Sequence, residues 1–184
     1  MNKKIHILLT VLLFSTIIFA GNKPSAEKIE VGELHNLYKV DNDVYRAEQP
    51  TNQDFLELEK MGIKTVLCLR NYHDDEDEIK GTNLVLKIVR MKASKISYQE
   101  ILKALQAIKD AEKPVLVHCW HGSDRTGCII AAYRMVFNNW TKEEAIFELR
   151  YKPYRYNWRE FPNIVDTLEE LNIKKMRKDL GLKK

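Results

Sequence analysis

Residues 114–134 read PVLVHCWHGSDRTGCIIAAYR, with Cys119 six positions before Arg125, Gly122 between them and Thr126 next. A cysteine at the end of an apolar strand is, taken alone, a small hydrophobe. Here the strand stops at the cysteine, and a tight turn, WHGSDR, leads into an apolar helix. Such a turn directs successive backbone amides inward, and the following helix adds the positive end of its dipole. Gly122 permits a backbone conformation or a close approach that a side chain hinders. The product is a cradle for a tetrahedral anion, which Arg125 closes with two parallel charged hydrogen bonds. Trp120, His121, Gly122, Ser123, Asp124 and Arg125 are the expected phosphate-binding residues.

The same arrangement activates the sulfur. A free thiol is mostly protonated at neutral pH, and amides, a helix N-terminus and a guanidinium all favour the thiolate. The implied reaction is in-line attack of Cys119 on phosphorus, a cysteinyl-phosphate intermediate and its hydrolysis. Arg125 and the amides hold the equatorial oxygens as charge shifts. Thr126 is placed to donate its hydroxyl to the departing sulfur, and His118 to orient the loop from beneath. No metal and no cofactor enter this scheme.

The elements that must position this turn alternate between strand and helix. LYKV (37–40) and VYRA (44–47) flank DND as a short hairpin or a bent strand pair. Thr51 caps a helix over NQDFLELEKMG, with Phe55, Leu58 and Met61 on one face and Gly62 at its end. KTVLCLR (64–70), NLVLKIV (83–89) and VLVH (115–118) read as strands buried on both faces. Ser97 with Glu100 opens a helix, Thr141 with Glu144 opens another, and one final helix covers EFPNIVDTLEELNIKKM. GCIIAAYRMVFNN is apolar nearly all round, so it is a central helix. The expectation is one α/β domain with a central, mostly parallel sheet of four or five strands flanked by helices.

Whole-chain features bound the function. Lys3 and Lys4 precede an apolar run ending near Ala20, shorter than the roughly 20 residues of a membrane span. It reads as a signal peptide (1–20) of an exported, periplasmic or secreted protein, with an uncleaved membrane anchor as the alternative. A flexible leader (21–33) follows, then the folded domain (34–175) and a basic C-terminal tail (176–184). The net charge is +4, two of it from Lys3 and Lys4, which is too little to indicate nucleic-acid binding. The three cysteines are too few for a disulfide framework. A monomer is expected.

Residues 37–165 resemble the cysteine-based protein tyrosine phosphatase superfamily, in its compact dual-specificity branch. The nearest resemblance is to exported bacterial tyrosine phosphatases, which also resemble fungal and plant enzymes acting on inositol phosphates. VYRAEQP (44–50), GIKTVLCLRN (62–71) and VLVHCWHGSDRTG (115–127) carry the resemblance. It implies a phosphate loop from Cys119 to Arg125, metal-independent hydrolysis and a four- or five-stranded sheet. The leading function is therefore a protein tyrosine or dual-specificity phosphatase. An inositol polyphosphate or phosphoinositide phosphatase is the first alternative, with peripheral membrane contact if the substrate is a phosphoinositide. A phosphate-ligand binder with weak turnover is the second.

The proton donor for the leaving oxygen is the open question. In the family it resembles, an aspartate supplies it from the loop before the long helix. The corresponding stretch, RMKASKIS (90–97), holds no acid, and Lys92 stands at about that register. Asp124 inside the phosphate loop, one of Asp74, Asp75 and Asp77 swung over the cleft, or His121 can take its place. Lys92 and Lys95 either attract a second phosphate or face water, and His121 and Arg90 add to such a site if they face the same cleft. YKPYRYNW (151–158) forms a cleft wall, with Tyr154 or Trp158 stacking on a phenyl ring, or simply packs on the core. Cys68 either pairs reversibly with Cys119 or stays free.

Overall fold

The computed structural model describes residues 26–182. The signal segment 1–20 therefore lies outside the described residues, as do residues 21–25 and 183–184. Among the described residues six strands form one mixed sheet: β1 (Glu27–Lys28), β2 (Tyr38–Lys39), β3 (Val44–Ala47), β4 (Thr65–Cys68), β5 (Val85–Ile88) and β6 (Val115–His118). Their order is β1-β2-β3-β6-β4-β5. The four strands from β3 to β5 run parallel, and the β1–β2 and β2–β3 pairs are antiparallel. The expected four or five strands thus become six. The extra one is β1, which lies in the stretch read as leader and pairs Glu27 with Lys39.

Among the described residues there are six α-helices: α1 (Asn52–Lys60), α2 (Tyr98–Lys109), α3 (Asp124–Phe137), α4 (Lys142–Leu149), α5 (Asn163–Glu170) and α6 (Ile173–Asp179). The capping boxes expected at Ser97 and Thr141 form, with Glu100 and Glu144 as the reciprocating acids, and the expected cap at Thr51 is also a box, reciprocated by Asp54. Caps of this kind contribute about 1 kcal/mol each. The single final helix expected near the C-terminus is two. Leu171 leaves helical geometry at ψ 119, and the Asn172 side chain accepts from Lys175 N to start α6. Met61 does not join the buried face of α1, because it is the C-cap residue and is exposed.

The central strands explain their apolar runs. Val66 and Leu116 pack with Phe55 and Leu58 of α1 on one face, while Leu67, Val115 and Val117 join the larger core under α2 and α3. With both faces covered, β4 and β6 have every residue buried. β5 departs from the doubly buried reading. It is the sheet edge, paired only with β4, and its residues range from exposed to half-buried. α3 is the central helix, packed against α2, α4, α5 and α6. Arg134 on α3 clasps Glu148 on α4 through two bonds of 3.0 and 3.1 Å, both side chains buried. Removing one partner of such a pair costs about 3–5 kcal/mol.

Candidate active site

The carboxyl end of β6 runs straight into residues 119–123, and α3 begins at Asp124. The loop between them is pinned by its carbonyls. Cys119 O faces His118 Nδ1 at 3.3 Å, and Trp120 O accepts from Gln49 N at 3.1 Å. His121 O accepts from Asn36 Nδ2 at 2.8 Å, and Gly122 O from Arg46 Nη2 at 2.8 Å. In a trans peptide the amide points opposite to the carbonyl, so the N–H groups of residues 120–123 turn to the other side. Among the described residues, none of these amides donates to a backbone carbonyl. Successive amides left free in this way are the main-chain arrangement found in anion-binding concavities.

Gly122 makes the curvature. Its φ is +67°, and a Cβ there would lie 2.5 Å from the Ala47 carbonyl and from Glu48 N. Both the left-handed conformation and the close approach to the end of β3 require glycine. Beneath the loop, Arg46 is 1% exposed and sits 3.9 Å over the Tyr154 ring. Burial pulls its guanidinium below the ordinary value, although neighbouring groups including Cys119 act to raise it. A desolvated cation over an aromatic face is worth up to about 2 kcal/mol. Arg46 escaped the sequence reading because an arginine on a two-sided strand suggests an edge or a solvent face. The available signal was its place between Tyr45 and Ala47 in a strand that must be covered.

Above the loop lies a cavity of about 720 Å³. Its lining includes Trp120, His121, Ser123, Asp124 and Arg125, so most of the expected phosphate-binding residues share one wall. Cys119 lies at the end of β6 and is 2% exposed. Arg125 Nε is buried without a hydrogen-bond partner among the described residues. The Thr126 hydroxyl is likewise buried and unpartnered, so the hydrogen bond expected from it to the sulfur is not made here. Lys92 lines the cavity, with Met91, Ala93 and Ser94 beside it. Lys95 and Arg90 do not. Arg90 instead pairs with Asp74 at 3.0 Å.

The candidate acids separate. Asp124 lines the cavity, its Oδ1 accepts from Asn157 N at 2.9 Å, and burial pushes its carboxyl above the ordinary value against that bond. Asp74, Asp75 and Asp77 do not reach over the cleft. Asp77 pairs with Lys80 in solvent. Asp75 is fully buried, with Oδ2 at 2.7 Å from His118 Nε2 and Oδ1 accepting from Gln49 Nε2 at 2.6 Å. Burial pushes the Asp75 carboxyl up, but its bonds to His118 and Gln49 outweigh this and hold it below the ordinary value. Asp75 is therefore a support for His118, both of whose ring nitrogens face oxygen atoms.

Two alternatives that the sequence left open are narrowed. Tyr154 is fully buried under Arg46, and Trp158 is exposed outside the cavity lining. The 151–158 segment supplies Arg155 and Asn157 as the wall instead. Arg155 adopts φ +60° as the C-cap of a short 3-10 turn. Cys68 pairs in register with His118 and so shares its face of the sheet, whereas Cys119, one residue on, points to the opposite face. Both thiols are free, and burial with the nearby Asp75 pushes the Cys68 thiol up to about 12. Arg70 was missed as well. It lines the cavity, donates to Gln49 Oε1 at 2.8 Å and lies 4.2 Å over Trp120.

Residues 33–180 match the family described as the tyrosine phosphatase family. The chain is 32% identical over 119 residues to the dual specificity protein phosphatase TpbA of Pseudomonas aeruginosa, a match covering 62% of this chain and 53% of that protein. It is 30% identical over 142 residues to the inositol diphosphatase SIW14 of Saccharomyces cerevisiae, covering 72% of this chain and 48% of that protein. The match thus spans about half the length of these relatives. The crystal structure of P. aeruginosa TpbA superposes with a TM-score of 0.76 at 25% identity, over 85% of this chain and 96% of that one. Among the described residues, no helix is long and apolar enough to cross a membrane.

Proposed function

Because this chain belongs to the tyrosine phosphatase family, we propose that it hydrolyses phosphomonoesters through a cysteinyl-phosphate on Cys119. The observation that carries the reading is the loop itself. Its carbonyls are held from outside, its amides are left without backbone partners, and Arg125 stands at the cavity with an unpartnered Nε. The sulfur attacks phosphorus in line as the P–O bond to the leaving group breaks. The amides of 120–123 and Arg125 hold the three equatorial oxygens. Asp124 gives its proton to the leaving oxygen; its carboxylate then takes a proton from the water that attacks phosphorus, the S–P bond breaks and the thiolate returns. Burial favours the protonated form of Asp124, as a general acid requires. His118 and Asp75 act by position, holding the Cys119 carbonyl from behind.

The substrate read first is a phosphorylated protein, with phosphotyrosine in the cavity beside Trp120 and Tyr72. A second reading, an inositol polyphosphate or phosphoinositide, draws support from Arg70, Lys92 and Arg155, which line the same cavity as Arg125. The objection that the acidic run 73–78 would repel a polyanion weakens, since none of those residues lines the cavity. The apolar run before Ala20 supports an exported protein.

The test is phosphate release in the presence of chelator from an aryl phosphate, phosphotyrosine and phosphoserine peptides, inositol hexakisphosphate and phosphoinositide vesicles. Cys119→Ser is expected to abolish release on all of them, by about four orders of magnitude or more. Equal, negligible rates for wild type and Cys119→Ser on the whole panel would overturn the hydrolase reading in favour of a phosphate-ligand binder.

A further inference from the structure

The acidic run HDDEDE takes no part in the cavity, yet three of its side chains converge. His73 Nε2 lies 3.5 Å from Asp75 Oδ1 and 3.2 Å from Glu78 Oε1. The ligand atoms of all three residues lie within 4.8 Å of one another. His73 Nε2 is buried and makes no hydrogen bond among the described residues, although both carboxylates are near it. A zinc ion held tetrahedrally at about 2.0–2.1 Å sets its nitrogen and oxygen ligands about 3.4 Å apart. The two separations at His73 straddle that value.

We propose that His73, Asp75 and Glu78 form a zinc site, with three protein ligands and a fourth position left to water. An imidazole with two carboxylates suits this borderline ion. The His73 and Glu78 side chains are 31% and 32% exposed, which opens an approach from solvent. Asp75 is fully buried and is fixed by the Gln49 Nε2 bond to the oxygen that would face the ion. Hydrogen-bonded support of a ligating carboxylate is the usual outer shell of a metal site. A second trio, Cys68, Asp75 and His118, also converges within 4.8 Å in the interior. There, His118 Nε2 is already bonded to Asp75 Oδ2 at 2.7 Å, so an ion would have to break that contact.

The site is coupled to the nucleophile through one carboxylate. Asp75 offers Oδ1 to the ion and Oδ2 to His118, whose other nitrogen meets Cys119 O. A cation on Oδ1 draws charge from the carboxylate and loosens its hold on His118. Zinc bound there slows turnover without touching the cavity. This coupling rests on the phosphatase reading; the binding does not.

Binding is measured on the full chain by competing for Zn²⁺ with a chromogenic chelator, with Co²⁺ absorption as a probe of the ligand set. One ion per chain is expected, equally tight in Cys119→Ser and at least tenfold weaker in His73→Ala and in Glu78→Gln. Zn²⁺ should then lower aryl phosphate turnover several-fold in wild type and leave His73→Ala, whose metal-free rate matches wild type, unaffected. Unchanged binding in His73→Ala, or binding lost in Cys119→Ser, overturns the site. A thiolate-to-cobalt band that disappears in Cys68→Ala moves the ion to the interior trio and overturns it too. Binding as expected with no effect on turnover overturns only the coupling. Metal-free wild type that is inactive on every substrate tells against the phosphatase reading and leaves the zinc titration to decide the site.

Discussion

The loops that follow β6 and β4 leave neighbouring parallel strands at the same, carboxyl end of the sheet, yet they are put to opposite uses. After β6, the carbonyls of residues 119–122 are held from outside and the amides of 120–123 face the other way, and Trp120, His121, Ser123, Asp124 and Arg125 line the cavity. After β4, Arg70, Asn71 and Tyr72 reach the cavity, but the acidic stretch beyond them folds away. Asp75 goes into the interior against His118, and Asp74 and Asp77 pair with Arg90 and Lys80. Lying at the carboxyl ends of parallel strands brings a loop near the site. Which side chains enter is decided by the partners each one finds.

This contrast can be tested acid by acid. The largest effect belongs to the acid in the β6 loop: Asp124→Asn should cost about a hundredfold on alkyl phosphates and little on an aryl phosphate, whose leaving group needs no proton. Its pH profile carries the same signature. The group must be protonated to act and burial raises its value, so wild-type turnover of alkyl phosphates should fall as pH rises through that raised value. The alkaline limb should vanish in Asp124→Asn. A hundredfold loss from Asp74→Asn or Asp77→Asn instead would reverse the assignment of the two loops.

Gly122→Ala comes next. A Cβ at φ +67° and 2.5 Å from the Ala47 carbonyl forces the loop off its backing strand. Aryl phosphate turnover should fall at least tenfold and stability by about 1–3 kcal/mol, read by denaturant unfolding.

Asp75→Asn should lower turnover about tenfold on aryl and alkyl phosphates alike, because a displaced His118 shifts the nucleophile and not the acid. Stability follows a sign that can be worked out. The folded Asp75 value is depressed, so its contribution is present above the unfolded carboxylate value and is lost as pH falls through the folded one. Acid unfolding of Asp75→Asn should therefore be shallower than that of wild type. The smallest effect is expected from Asp74→Asn and Asp77→Asn, less than twofold in turnover, since both acids pair in exposed positions.

Much of the fold could be read from pattern. The caps at Thr51, Ser97 and Thr141, the doubly buried β4 and β6 and the all-round apolar α3 follow from residue spacing, because local hydrogen bonds and two-sided burial leave a direct mark on sequence. The edge position of β5 left no such mark, since Val85–Ile88 is nearly as apolar as a covered strand. The break at Leu171–Asn172 was hidden for a similar reason: an asparagine inside a helical pattern becomes a cap only where tertiary packing redirects the chain.

The site divides along the same line. Sequence alone determined the contiguous part: a strand ending in Cys119, a glycine that allows the loop to curl and an arginine at the start of a helix. Those groups are neighbours in the chain, and local geometry brings them together. Only the tertiary structure decided the rest. It set Arg46 beneath the loop, Asp75 behind His118, and Arg70, Lys92 and Arg155 around the cavity. It also turned Tyr154 inward and Cys68 away from Cys119. These groups come from separate stretches of chain, and burial and charge pairing across the sheet choose among positions that residue type leaves equally open.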